Sequence, residues 1–358
     1  MLRRVLSGDL PRSRVLALVL VVIGLGLLVT PFVFPGAKAL NVAAKTCTFV
    51  VLVASFDLLL GYTGIISFAH TMFFGIGAYG VAIAITRMGP NWPAVAAGVV
   101  AALAVSLVLS LVIGLFSLRV KALYYAMITL AVATAFQTLA SQLSDLTGGE
   151  DGLSFKVPAM LSPGFSLSTR PLLGVSLDGR LISYYLLLAV SAALFLVMLR
   201  IVNSPFGRVL QAIRENAFRA EALGYRTVLY RTASNVLSAA FATLAGALLA
   251  LWLRYNGPDT SLSFEIMIDI LLMVVIGGMG TLYGSVIGAT LFIVTENYLQ
   301  DLMRLASRGL AGVPLLRDLV NPDRWLLWLG LLFILSVYRF PFGIVGNLRL
   351  RAKARRAA

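Results

Sequence analysis

The stretch Leu181–Arg226, LISYYLLLAVSAALFLVMLRIVNSPFGRVLQAIRENAFRAEALGYR, changes character at Asn203, and that change decides the fold. Its first half is an apolar window of the length, about 20 residues, that crosses a bilayer as a helix. Its second half carries Arg208, Arg214, Arg219 and Arg226 beside Glu215 and Glu221, a set that hydrocarbon does not accept. Ser204 is placed to cap a helix, with Pro205 at its first position and Gly224 as a left-handed stop. A second apolar window begins near residue 232. The segment Asn203–Arg231 therefore reads as a capped, basic, amphipathic helix set between two membrane spans, presenting a surface to a partner at the cytoplasmic face.

Working outward, apolar windows of spanning length occur at about 15–34, 40–60, 65–86, 93–118, 121–140, 182–202, 232–254, 264–279, 282–299 and 324–340. The eighth and ninth are interrupted by GGMGTLYG, so they read either as one long broken span or as two short ones. The run Val15–Phe34 is too long for a signal-peptide core and reads as a retained first span. The fold class is an all-α polytopic membrane protein of about ten transmembrane helices, with the 358 residues forming one domain.

The composition agrees. Hydrophobic residues make up 59% and charged residues 12% of the chain, and the mean hydropathy is +0.93; soluble domains carry about 25% charged residues. The net charge of +14 fits cytoplasmic loops rich in Lys and Arg, and the basic, aromatic-interleaved patches of nucleic-acid binders are absent. Ten spans put both termini on the cytoplasmic side. That makes 1–14 a cytoplasmic N-terminus, 203–231 a cytoplasmic loop and 341–358 a basic cytoplasmic tail. The polar stretch 141–181 becomes an extracytoplasmic loop. Arg304, Arg308, Arg317 and Arg324 then fall on the outer side, against the charge rule, which leaves the ninth and tenth spans as the weak point of the topology.

Catalysis finds little support. His70 is the only histidine and Cys47 the only cysteine, so no paired nucleophile and base, and no HExxH or CxxC metal spacing, can be assembled. No GxxxxGK[ST] phosphate loop occurs, so energy for transport must come from an ion or from another polypeptide. The third window, GYTGIISFAHTMFFGIGAYG, sets Ser67, His70 and Thr71 at helical spacing among Gly61, Gly64, Gly75, Gly77 and Gly80. These residues read either as a passage lining or as polar and glycine packing. A fainter echo appears near Gly277–Gly288. Paired glycine interruptions in two halves mark the midplane site of repeat-built transporters, although glycines also serve close helix packing. Asp57, Glu265 and Asp269 are the intramembrane carboxylates, and no Lys or Arg of matching depth stands out. Asp269 reads as a polar contact between helices or as a proton relay.

Four blocks in order, GYTGIISFAHTMFFGIGAY, LTGGEDGL (Leu146–Leu153), SPFGRVLQAIRENAFRAEALGY (Ser204–Tyr225) and IDILLMVVIGGMGTLYGSVIGA (Ile268–Ala289), resemble the branched-chain amino acid ABC transporter permeases of bacteria and archaea. The resemblance runs from Asn41 to Tyr298. It implies an ABC importer permease bundle in the cytoplasmic (inner) membrane, not an enzyme, working with two ABC ATPase subunits, a second permease and an extracytoplasmic substrate-binding protein. The permease itself would bind no cofactor, ATP and Mg being held by the ATPases. Ala220–Gly224 is similar to the Glu-Ala-Ala…Gly coupling motif, which implies ATPase coupling by Arg208, Arg214, Glu215, Glu221, Ala222 and Gly224. The same resemblance implies a translocation pathway near Ser67, His70, Thr71, Gly75, Gly77, Asp269, Gly277 and Gly278. Three positions depart from the pattern. Ile65 stands near a usual glutamine and Ala69 replaces the glycine before His70, while Asp269 stands where glutamate is usual. Relatives that carry urea, short amides or other small acids therefore stay open as alternatives, as does an ion-coupled carrier.

Overall fold

The computed structural model describes residues 14–34, 36–117, 122–166, 177–309, 321–340 and 343–348. The basic N-terminus, most of the basic tail, Arg119, Lys121, Arg317 and residues 167–176 of the polar stretch lie outside the described residues.

Helix dominates. In chain order the bundle contains α1 (Arg14–Val33), α2 (Ala37–Thr63), α3 (His70–Met88), α4 (Trp92–Ser117), α5 (Ala122–Gln142) and α6 (Gly179–Asn203). Two short helices, α7 (Pro205–Glu215) and α8 (Ala217–Ala222), then occupy the polar segment. After them come α9 (Thr227–Leu253), α10 (Phe264–Gly277), α11 (Leu282–Gly309) and α12 (Trp325–Arg339). Among the described residues nine helical segments are long and apolar enough to cross a membrane. The eighth and ninth windows resolve into two helices, α10 and α11, turned by Gly278–Thr281. With 28 residues, α11 is longer than its apolar window and carries Glu296, Asp301, Arg304 and Arg308 in its second half; it is not among the nine.

The centre of the bundle is α2, in which every residue from Thr46 to Thr63 is buried. Around it pack α9, α11, α6 and α10, with α3 and α4 against α9. Small residues set these distances. A Cβ on Gly77 of α3 would stand 1.8 Å from the Thr243 carbonyl oxygen of α9, and one on Gly246 of α9 would stand 1.8 Å from the Phe74 carbonyl oxygen. The helices touch backbone to backbone, as membrane helices do where dispersion and packing replace the hydrophobic effect. The periphery is apolar outward: Leu18, Val22 and Leu25 on α1, Val100 and Val108 on α4, Leu123 and Met127 on α5, and Ile334 and Leu335 on α12 are all exposed. Such extensive apolar exposure suits lipid and not water.

The polar segments sit at opposite ends of α9, whose 27 residues span about 40 Å. At its first turn lie α7 and α8. At its last, Leu153–Ser154 pairs antiparallel with Tyr255–Asn256, in the register Leu153 to Asn256. This pairing ties the 143–166 stretch to the far end, and Asp178 begins α6 there by accepting a hydrogen bond from Leu181 N at 3.0 Å.

Candidate functional site

The polar segment folds largely as its residues dictate. Ser204 caps α7 by accepting from Gly207 N, and Pro205 opens the helix. Gly207, Leu210 and Ile213 form the buried stripe, three residues apart as one helical face requires. The expected single helix is in fact two. Asn216 takes an extended backbone conformation, ends α7 and caps α8 by accepting from Arg219 N at 3.0 Å. Gly224 has φ 91°, the left-handed stop expected of it. Glu221 Oε1 accepts from Thr227 Oγ1 at 2.6 Å, fastening α8 to the start of α9. Outward, Phe218 and Leu223 are 80% and 79% exposed, next to Arg208, Glu215, Arg219, Glu221 and Ala222, all exposed as well. Sequence reasoning did not single out Phe218 and Leu223. The available signal was two large apolar residues in a short polar helix, off the stripe that faces the bundle.

Arg214 behaves differently from its neighbours. Its guanidinium Nη1 donates to the Gly61 carbonyl at the end of α2. Its Cγ stands 3.3 Å from where a Cβ on Gly64 would be, and its Nη1 2.7 Å from where one on Gly280 would be. Gly64 closes α2 as a left-handed C-cap, so the chain departs sharply there into the α2–α3 connection. Gly280 N donates to Asp57 Oδ1 of α2 at 2.8 Å. A Cβ on Gly61 would meet Asp57 Oδ1 at 2.0 Å and Gly280 N at 2.3 Å. The two glycine interruptions of the sequence thus meet at one point, with Arg214 laid across both. That point lies at the helix ends beside α7.

The helical spacing expected of Ser67, His70 and Thr71 is not found. α3 begins at His70, and 64–69 run as irregular backbone, because the left-handed turn at Gly64 interrupts the helix. All three side chains are buried, and irregular backbone at this depth is tolerated because protein surrounds it. Phe68 N donates to Thr129 Oγ1 at 3.0 Å. His70 Nε2 shares a 2.8 Å hydrogen bond with Ser55 Oγ, and its ring lies 5.2 Å from that of Phe56. Ser238 Oγ donates to the Ser55 carbonyl at 2.6 Å, which extends the polar contact from α3 through α2 to α9. A Cβ on Gly75 would strike Leu262 at 2.1 Å, and Gly277 faces the Gly284 carbonyl oxygen in the same tight manner. Gly278 caps α10 with φ 115°. We expect His70→Ala to lower bundle stability by about 1–3 kcal/mol. The link from α3 to Ser55 Oγ and the packing of the ring on Phe56 are lost, while Ser55 Oγ keeps its hydrogen bond to the Leu52 carbonyl. Thermal unfolding in detergent checks this, and a changed KM for uptake in the same variant would tie the residue to the passage.

Asp269 has cationic company that its sequence neighbourhood does not reveal. Lys45 of α2 pairs with Glu296 of α11 at 3.0 Å, and both lie in electrostatic range of Asp269 on α10, as does Glu265. Lys45 and Glu296 are isolated charges inside two distant apolar windows, and only the fold brings them together. Nearer the start of α2, Lys38 donates to Asp301, and this pairing holds the Asp301 carboxyl below its ordinary range. Among the described residues no group of three or more His, Cys, Asp or Glu is placed to hold a metal ion.

With this geometry in place, comparison with known proteins is direct. The family described as "Branched-chain amino acid transport system / permease component" matches residues 38–337. The high-affinity branched-chain amino acid transport system permease protein LivM of Salmonella typhimurium is 28% identical over 300 residues, covering 80% of this chain and 69% of that protein. LivM of Escherichia coli is 28% identical over 79% of this chain and 68% of its own length. BraD, a permease protein of the same kind of transport system in Pseudomonas aeruginosa, is 25% identical over 84% of this chain and 92% of its own length. No solved structure matches the chain. A family match over most of the chain, on a bundle of apolar-faced spanning helices, makes this protein a multi-pass inner-membrane member of the branched-chain amino acid transport permease family.

Proposed function

We propose that the chain is the permease subunit of an ATP-driven ABC importer that moves branched-chain or related amino acids across the inner membrane. Separate ATPase subunits hydrolyse the ATP, hold its Mg and dock on the 203–231 loop; the permease binds no cofactor. A second permease, a sister chain rather than a copy, completes the passage, and an extracytoplasmic binding protein delivers the cargo. The observation that carries this reading is α8. Phe218 and Leu223 stand out almost fully exposed beside charged Arg219 and Glu221, a mixture that suits a protein cleft better than lipid or open water. Arg214 behind them supplies a route from that surface to the helix ends. On this reading Arg208, Glu215, Glu221, Ala222 and Gly224 shape the docking surface, and the passage lies near α3, α10 and Gly277–Gly278.

Glu221→Arg reverses a charge on this surface and breaks the tie to Thr227, while Gly224→Pro cannot adopt the positive φ that the turn uses. Both should leave the permease in the membrane and reduce ATP-driven uptake about tenfold or more. Uptake of labelled leucine into cells, with permease abundance measured in parallel, tests this. Uptake that survives deletion of the ATPase genes and collapses with the proton gradient would replace the importer by an ion-coupled carrier.

A further inference from the structure

The coupling end does not account for the charges on the α2–α10–α11 face. Lys45 Nζ donates to Glu296 at 3.0 Å and 3.3 Å, and their side chains keep 36% and 24% of their exposure. Seven residues earlier on α2, the Lys38–Asp301 pair is about half exposed. Asp269, partly open on α10, lies in electrostatic range of Lys45, Glu296 and Glu265. Depth follows from the helix rise. Lys45 lies about 24 Å along α2 from Gly61 and Glu296 about 21 Å along α11 from its first residue, Leu282, and Asp269 lies about 12 Å from the end of α10. The charges therefore step inward from the end opposite α7 and α8, the Lys45–Glu296 pair in the outer part of a bilayer core about 30 Å thick and Asp269 nearer its middle.

Partly open charges at this depth are costly against lipid, so the face meets water or protein. It also offers apolar surface, because Ile268, next to Asp269 on α10, is exposed. A face of one sign would favour ions of the other. Here an ammonium and carboxylates stand together next to apolar side chains, and that combination complements a zwitterion with an apolar side chain. Lys45 matches the α-carboxylate, Asp269 and Glu296 match the α-ammonium, and Ile268 meets the hydrocarbon. Holding Lys45 and Glu296 paired while the site is empty limits the cost of burying either charge alone.

We propose that Lys45, Asp269 and Glu296 form a transit site for the free amino-acid zwitterion on the extracytoplasmic half of the passage. The inference rests on the importer reading. Its test uses the complete transporter in cells, with Cys47, the only cysteine and a buried one, replaced by alanine. Ile268→Cys should react with a membrane-impermeant thiol reagent added outside, and leucine with its binding protein should slow the reaction about fivefold or more. Met160→Cys, exposed on the polar stretch, serves as the reactive control, and Leu25→Cys on the apolar rim as the silent one. The double variant Lys45→Gln/Glu296→Gln leaves no lone charge, so it should fold and raise the KM for leucine about tenfold, the effect of removing roughly one charge-assisted hydrogen bond. Silence of Ile268→Cys while Met160→Cys reacts, or an unchanged KM in the double variant, overturns the site. Loss of ATP dependence in the parent transporter overturns the importer reading instead, whatever the labelling shows.

Discussion

Arg214→Ala should leave the permease folded and membrane-inserted while cutting substrate uptake roughly ten- to a hundredfold. The expected size is that of the hydrogen bond which alanine cannot make. A charged donor to a carbonyl contributes about 1.5–3 kcal/mol, and each 1.4 kcal/mol is a factor of ten. The effect should fall on coupling and not on folding, because α7 keeps its buried stripe of Gly207, Leu210 and Ile213 while only the reach to Gly61 disappears. Arg214 is the side chain that touches both interruptions of the spans, at Gly61–Gly64 and at Gly280. A displacement of α7 and α8 by a docked partner would pass through it to two helix ends that already share the Asp57–Gly280 hydrogen bond. Arg214→Lys offers a sharper discrimination. Lysine keeps the charge but lacks the planar fork that serves several acceptors from one position, so it should restore only part of the uptake. The measurement is leucine uptake per permease, alongside ATP hydrolysis by the purified complex. Full uptake in Arg214→Ala would confine Arg214 to fastening α7 and remove it from any transmission.

How much of this was legible in the sequence depends on the range of the interaction. Ser204, Pro205 and Gly224 announce their roles because capping and positive φ are properties of a few adjacent residues, and the structure gives each that role. Apolar windows announce spans because a bilayer imposes one length on all of them, and nearly all reappear as helices. The split at Asn216 was local too, but asparagine at mid-segment suits either an exposed helical position or a cap, and its backbone decides between them. The meeting of Gly61 with Gly280 was beyond reach. Both stretches showed an excess of glycine, yet nothing in one names the other, and only the packing of α10 and α11 on α2 brings them together. Lys45 and Glu296 stayed hidden for a related reason. Each is an isolated charge in an apolar window, and averaging over the window conceals a pair whose members are separated by most of the chain.

Gly246→Val or Gly77→Val should destabilise the bundle most, by several kcal/mol, and abolish stable insertion of the folded permease. In an ordinary helix interior, glycine is worse than alanine by about 1 kcal/mol, so a larger residue would be expected to help. At these positions the neighbours reverse the sign. A Cβ on Gly246 would stand 1.8 Å from the Phe74 carbonyl oxygen, and one on Gly77 would stand 1.8 Å from that of Thr243. Both obstacles are backbone and cannot rotate away as a side-chain tip does, so α3 and α9 must separate along their length. Overpacking a core already costs about 1–3 kcal/mol where side chains can yield. Here the α3–α9 separation also disturbs the Ser238–Ser55–His70 hydrogen bonds. Gly24 on α1 supplies the contrast, with nothing near the position of its Cβ; Gly24→Val should be nearly neutral, within about 0.5 kcal/mol as for open surface sites. Comparing the midpoint of thermal aggregation in detergent for Gly24→Val, Gly77→Ala and Gly246→Ala separates propensity from packing. A stabilised Gly246→Ala would mean that α3 and α9 slide apart easily, and that block could not then serve as the rigid frame against which Arg214 moves the ends of α2 and α11.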